Sequence, residues 1–549
     1  MKRLLSYLEE NEYVLYVAAA VLLVPIYLLN LGKGAIAMDE PTRALVALEM
    51  MFSGNYVTPT IFGDFYYNKP PLYNWILIGA FSASGDKSEW MVRLPAVLSL
   101  FLYGWSIYRI MKTHIGWKAA ALTAFMFLTC GRMLILSSMI GHIDIFYSWL
   151  TFLNFMLIYH FYEKENWWML FLCSYSITAI TFLSKGLPSI VFQGITLLTI
   201  FSYRKNFWKL FSIQHIVSGF LFLGLVGLYF WAYSGYNSLE TYFVTLWTES
   251  SKRTMIEKSQ WDTIIHIFTF PFEALMHVLP WSLLVIFCFQ KAFWQKVKST
   301  PFLTYCVWIT FTNIIIYWLS PDTHTRYLFM LHPLMFMLMA VAYFEFGDQM
   351  KRGKKILEGL FLFGASVVGV AVWAIPFLKD IKAGTTLLDT VDQIEVISDL
   401  PYANLKMVVL FILIASSVFL YVKLPKQRMI LFVLILLWVR LGFNWYILMH
   451  RAITGEISQY RAYGIEVAKI TGDEPLYVMD GYTFNHDLTY YISRDREKIL
   501  PKSTTIEPNT FYICTDQQLE GKSYELFYEF ETMHNRTPVN LVKFNHSSE

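Results

Sequence analysis

Apolar runs of about 20 residues, the length a helix needs to cross a bilayer, recur along the chain as far as residue 449. They lie near 13–31, 91–110, 117–136, 143–162, 167–184, 187–203 and 213–232, then near 268–290, 302–320, 325–346, 356–377, 404–423 and 429–449. The pattern predicts a polytopic α-helical membrane protein with about 13 transmembrane helices. The first run follows Met1, Lys2 and Arg3 but is too long for a signal segment, so it reads as a retained anchor. Alternate connections are basic: Arg109/Lys112/Lys118, Arg204/Lys205/Lys209, Lys291/Lys296/Lys298, Lys351/Arg352/Lys354/Lys355 and Lys423/Lys426/Arg428. Cytoplasmic loops hold the excess of Lys and Arg. These connections share a side with Lys2 and Arg3, so the N-terminus is expected inside and the residues after 449 outside.

Where the long runs stop, other periodicities take over. The first outer loop, 32–89, holds two interrupted apolar-periodic stretches, Pro41–Met51 and Pro71–Ser82, which predict short helices along the membrane interface. A middle loop, about 234–267, is polar. From His450 onward, strand-like runs (Leu476–Met479, Thr510–Ile513, Leu526–Phe530, Leu541–Phe544) alternate with polar turns. The expected organisation is a transmembrane domain over 1–449 and a small extracytoplasmic α/β domain over 450–549.

Composition sharpens the membrane reading and removes other classes. The chain is 56% apolar and only 15% charged, where soluble proteins carry about a quarter. A net charge of +3 with no basic stripe excludes a nucleic-acid partner. The five cysteines are scattered without a CxxC pair, so neither a zinc site nor a disulfide framework is indicated.

The unusual polar residues collect at outer helix ends and in the first loop. Transport proteins place theirs mid-span, in broken helices, so the distribution points to an enzyme working at the membrane surface. Asp39 and Glu40 follow the first run directly, ahead of Pro41, Thr42 and Arg43. A carboxylate here suits a helix cap, and one held against the membrane also suits a general base. Lys69 precedes Pro70 and Pro71, which start a helix. It would stand beside unpaired N–H groups, a place for a phosphate, or else snorkel to water among Tyr66, Tyr67 and Tyr73. His142 and Asp144 open the run at 143, with Asp144 either a cap or a second charge near Asp39. Lys185, in Ser184-Lys185-Gly186, is either a topology exception or the counter-charge to Asp39. The segments Glu249–Arg253 and Thr323–Tyr327 add further cations and an aromatic on the same face.

The segments DEPTRALVALEMMFSGNYVTP, FYYNKPPLYNW and EWMVRLPAVL resemble, in order and spacing, the polyprenyl-phosphate-dependent GT-C glycosyltransferases. Bacterial aminoarabinose transferases acting on lipid A are the nearer resemblance, protein O-mannosyltransferases the more distant one. The resemblance implies that Asp39 is the first-loop aspartate and base, with Glu40 beside it, Asp144 the second carboxylate, and Lys185 the lysine facing Asp39. It implies Lys69, Arg253 and Tyr327 as holders of the carrier phosphate, with Tyr66 a pocket tyrosine. The implied activity is inverting transfer of a sugar from polyprenyl (undecaprenyl) phosphate to a glycolipid, another surface glycan or a protein. It would occur at the outer face of the bacterial inner membrane. No obligatory metal or other cofactor is expected, because the donor has no diphosphate and no Asp-x-Asp clamp stands near the first loop. A transporter or flippase for a lipid-linked sugar would keep the lipid pocket and phosphate cations but need no base. Thr42, Arg43 and Asn68 stand where the family commonly has Arg, Tyr and Glu.

Overall fold

The computed structural model describes residues 2–251, 260–321, 323–378, 400–454, 458–481, 485–532 and 537–544. Among them, seven helices are long and apolar enough to cross a membrane, or ten if each of three sharply bent pairs is one span. Most apolar runs form the helix expected of them, among them Glu89–Ile115, Ile143–Glu163, Trp167–Lys185, Pro188–Tyr203, Ile213–Ser234, Pro301–Trp318 and Ala403–Lys423.

The runs at 325–346 and 356–377, expected as two spans, share one helical stretch, His332–Val372, and three other places depart from a straight span. Ahead of Tyr13–Leu28 lies a separate amphipathic helix, Lys2–Glu10, turned by 89°, which a count of continuous apolar residues passes over. The run at 117–136 breaks after Thr129 and bends by 50°. The run at 268–290, expected as one span, is two pieces. Helix Gln260–His277 stops, and a 3₁₀ segment Trp281–Phe289 leaves it at 118°. Pro280 is the physical reason: it brings no N–H to the ladder and biases Leu279 away from helical geometry.

Both first-loop helices form, as Glu40–Ser53 and Leu72–Ser84. Each ends on a glycine in the left-handed conformation, Gly54 at φ 69° and Gly85 at φ 68°, where a side chain would be strained. Between them a short hairpin pairs β1 (Thr60–Ile61) with β2 (Asp64–Phe65). The helix Glu40–Ser53, hereafter the loop helix, does not lie open at an interface as expected. Every residue from Glu40 to Met50 except Thr42 is buried.

Its cover is the C-terminal region, whose strands form close to where the alternation places them: β3 (Leu476–Met479), β4 (Lys502–Ser503), β5 (Phe511–Thr515), β6 (Tyr524–Thr532) and β7 (Thr537–Phe544). The sheet runs β4-β3-β5-β7-β6, with β3 parallel to both neighbours and the β5–β7 and β6–β7 pairs antiparallel. Helix His486–Arg496, the tail helix, packs on the loop helix. One apolar core unites Ile36, Leu45, Leu48, Tyr73 and Leu77 of the first loop with Tyr460, Val478, Leu488, Tyr491 and Leu541 of the tail. It is distinct from the core of the membrane helices. The first loop thus packs against residues after 449 as well as against the membrane helices, whose Val92 and Ile143 belong to the same core.

Candidate active site

The loop helix is fixed by its own acidic residues. Glu49 accepts the N–H groups of Phe62 (2.7 Å) and Gly63 (3.1 Å), the two left-handed turn residues of the β1–β2 hairpin, at φ 57° and 79°. Burial pushes the Glu49 carboxyl up from its ordinary pKa, and the Gly63 amide, the Thr60 hydroxyl and the Phe62 amide pull it back. The pinned hairpin delivers Tyr66 to the Arg43 guanidinium, which donates from Nη2 to the phenol oxygen.

Asp39 stands at the N-cap position, yet its side chain caps no amide. It pairs instead with Arg326, at 2.5 Å, and stays 60% exposed. The same guanidinium lies with Nε 3.4 Å from Asp144 Oδ2, and the buried Asp144 pairs with Lys185. The Lys185 ammonium in turn sits 4.0 Å from the centre of the Tyr327 ring, a cation–π distance. Four segments far apart in sequence thus form one row: Asp39, Arg326, Asp144, Lys185, Tyr327.

Two expected roles change. Lys185 is not the counter-charge of Asp39: it faces Asp144, and Arg326 takes the place beside Asp39. A planar guanidinium fork can reach two carboxylates at once, which a single ammonium cannot. Glu40, read from the sequence as part of an acidic pair with Asp39, stands in an ion pair of its own. It is fully buried, and Arg93 donates to both its oxygens (Nε 2.8 Å, Nη2 3.0 Å). The amides of Ala37 (3.0 Å) and Gly141 (2.5 Å) take further lone pairs. Arg93 also donates to the carbonyls of Leu31, Gly34 and Ala35. This pair is a joint that fastens the loop helix to the Glu89–Ile115 span.

Lys69 is half-buried, just ahead of the Leu72–Ser84 helix. Arg253 lies outside the described residues. Arg326 belongs to the segment Thr323–Tyr327 that the sequence offers for its cations, whereas Arg93 and Arg132, each an arginine in or beside an apolar run, are singled out by no sequence motif. Arg132 donates from Nη1 to Thr325 Oγ1 at 2.9 Å and so steadies the segment bearing Arg326.

The tail reaches the head of the loop helix. His486 Nδ1 shares a 2.9 Å hydrogen bond with Thr42 Oγ1. Tyr491 accepts the Ile36 N–H (3.0 Å) and donates to Glu89 (2.9 Å), which Arg461 also meets at 2.6 Å. Burial lowers the His486 pKa, and the Arg43 and Lys502 charges lower it further. The folded state therefore holds fewer protons here than the unfolded chain, whose His titrates near 6.5. Stability contributed at this contact is present above about pH 6.5 and is lost as pH falls through the depressed folded value. Thermal unfolding of wild type should drop more steeply between pH 7 and 5 than that of His486→Asn; parallel curves would remove the residue from this role.

A family model, dolichyl-phosphate-mannose-protein mannosyltransferase, matches residues 68–231. An undecaprenyl phosphate-α-4-amino-4-deoxy-L-arabinose arabinosyl transferase of Proteus mirabilis is 28% identical over 175 residues, 31% of each chain. An uncharacterised protein of Aquifex aeolicus is 23% identical over 300 residues, 54% of this chain. The matched parts span 58% of the Aquifex protein and 31% of the Proteus enzyme. Among solved structures, ArnT from Cupriavidus metallidurans bound to undecaprenyl phosphate superposes with a TM-score of 0.70 at 17% identity, covering 97% of this chain and 98% of that one. Its apo form gives 0.63. With the fold of ArnT from end to end and local sequence matches to two glycosyltransferase groups, the chain resembles the undecaprenyl-phosphate-dependent GT-C glycosyltransferases.

Proposed function

We propose that the chain is an inverting glycosyltransferase that moves a sugar from a polyprenyl phosphate to an acceptor at the outer face of a cytoplasmic membrane. The observation that carries this is Asp39, a carboxylate oriented by Arg326 and left open to solvent while its neighbours are buried. An acceptor hydroxyl or amine attacks the anomeric carbon, its proton passing to Asp39. The bond from that carbon to the phosphate oxygen breaks on the opposite face, and the polyprenyl phosphate departs with the electron pair. Lys69 is assigned to the phosphate, with Tyr327 adding a hydrogen bond and Arg253 a second cation on the strength of the family resemblance. The buried Asp144–Lys185 pair positions Tyr327 and Arg326 around the reacting carbon. These cations meet the charge that develops on the leaving group, so no divalent metal is given a step.

The acceptor is a lipid A-like glycolipid, another surface glycan or a protein. Mass spectrometry of surface glycolipids and glycoproteins from cells with and without the gene reads it directly. Loss of one sugar-sized mass on deletion is the expected result, and it names sugar and acceptor together. Identical spectra would sink the transferase reading.

A further inference from the structure

Each buried cation of the site has its carboxylate, with one exception. Arg93 has Glu40, Arg326 has Asp39 and Asp144, and Lys185 has Asp144. Arg43 is 5% exposed, and among the described residues no carboxylate stands at ion-pair distance from it. Among the described residues its guanidinium makes one hydrogen bond, to the Tyr66 hydroxyl, over whose ring it lies at 4.9 Å. Nη1 is buried without a partner among the described residues. A buried guanidinium has five donors and no acceptor, and left uncompensated it is strongly unfavourable. Such a group is retained where something else brings the negative charge.

Position says where that charge arrives. Arg43 is one turn after Asp39 on the same face of the loop helix, about 6 Å away by helical geometry. The Tyr66 phenol beside it is half-buried and feels Arg43, Glu249 and Asp39 together. Thr42, next in the chain, is held by His486 of the tail, so the guanidinium is framed by the hairpin on one side and the tail on the other. We infer that this site takes a substrate with an anionic substituent, a carboxylate on the transferred sugar or a phosphate on the acceptor. That substituent meets Arg43 Nη1 about one helical turn from the reacting carbon. The inference rests on the transferase reading with Asp39 as its base.

Binding of defined ligands to the purified full-length protein tests it without a known acceptor. The donor probes are undecaprenyl phosphate bearing glucuronic acid and the same carrier bearing glucose; the acceptor probes are lipid A and its dephosphorylated form. A charge-assisted contact at Arg43 Nη1 predicts at least tenfold tighter binding of one anionic member over its neutral partner. Arg43→Gln should bring that ratio close to one, and Arg43→Lys should keep part of it. A ratio carried by the donor pair places the anion on the sugar, one carried by the lipid A pair places it on the acceptor. Ratios near one in wild type for both pairs, or equal weakening of charged and neutral donors in Arg43→Gln, overturn the inference; the latter assigns Arg43 to the carrier phosphate. The empty Arg43→Gln protein should melt no lower than wild type, since it loses an uncompensated buried cation. A large drop makes the residue structural and also overturns it. Failure of the transferase reading shows elsewhere, as unchanged surface masses on deletion of the gene.

Discussion

Asp39→Asn is expected to lower turnover of the purified protein by about 10²–10⁴-fold, the usual contribution of a positioned base. Donor binding should stay within a few-fold of wild type. The amide keeps the shape and one oxygen for Arg326, so the row of charges from Arg326 to Lys185 persists, but it has no lone pair basic enough to take the acceptor's proton. Arg326→Lys should fall between the two, because a lysine reaches either Asp39 or Asp144 and not both. Measuring kcat and donor affinity separately decides the matter. If Asp39→Asn loses affinity and rate in equal proportion, the residue binds substrate and something else takes the proton.

Arg93→Ala is expected to have the largest effect on the fold. Its guanidinium makes two hydrogen bonds to Glu40 and one each to three carbonyls, at 2.7 to 3.0 Å, with both partners almost wholly buried. Removing one member of such a pair leaves the other charged and unpaired in a dry interior, which costs about 3–5 kcal/mol. The variant should yield little monodisperse protein in detergent, and what remains should melt far below wild type. Glu40→Gln should be milder, since its one amide oxygen still accepts from Arg93 and from one of the two backbone amides, of Gly141 or of Ala37, that meet separate oxygens of the carboxylate. An Arg93→Ala protein that purifies and melts like wild type would show that the loop helix is held by its apolar contacts alone.

Much of this molecule is legible in its sequence, and the limits have physical causes. Continuous apolar runs announce membrane helices because a helix satisfies its backbone within one such run, and the alternation in Leu476–Met479 announces a strand that does form. The first loop shows its two helices through proline at the start and glycine at the end. What length alone does not reveal is where a helix bends, as at Pro280, or that a short amphipathic helix precedes the first span. Within the site, residue types are readable but pairings are not. Asp39, Glu40, Asp144 and Lys185 all stand out as charges next to apolar runs, yet which cation meets which carboxylate depends on distances set by helix packing. Arg326 was in view inside Thr323–Tyr327, and only the folded geometry sets it between two aspartates. Glu40 shows the opposite hazard, since a carboxylate adjacent to Asp39 in sequence has none of the same partners and is buried against Arg93 and two backbone amides.

The core that joins the first loop to the tail also dictates when the site can exist. The Ile36 N–H and the Tyr491 hydroxyl that closes on it are 455 positions apart, so the contact belongs to the highest contact order the chain offers. During synthesis the loop helix emerges early and must wait, its apolar sides uncovered, until nearly the whole chain has been made and the tail helix arrives. Assembly of Asp39 and Arg43 into working positions is thus among the last folding events. A chain stalled before the tail would carry Asp39, Asp144, Lys185 and Arg326 and still lack the surface that covers the loop helix.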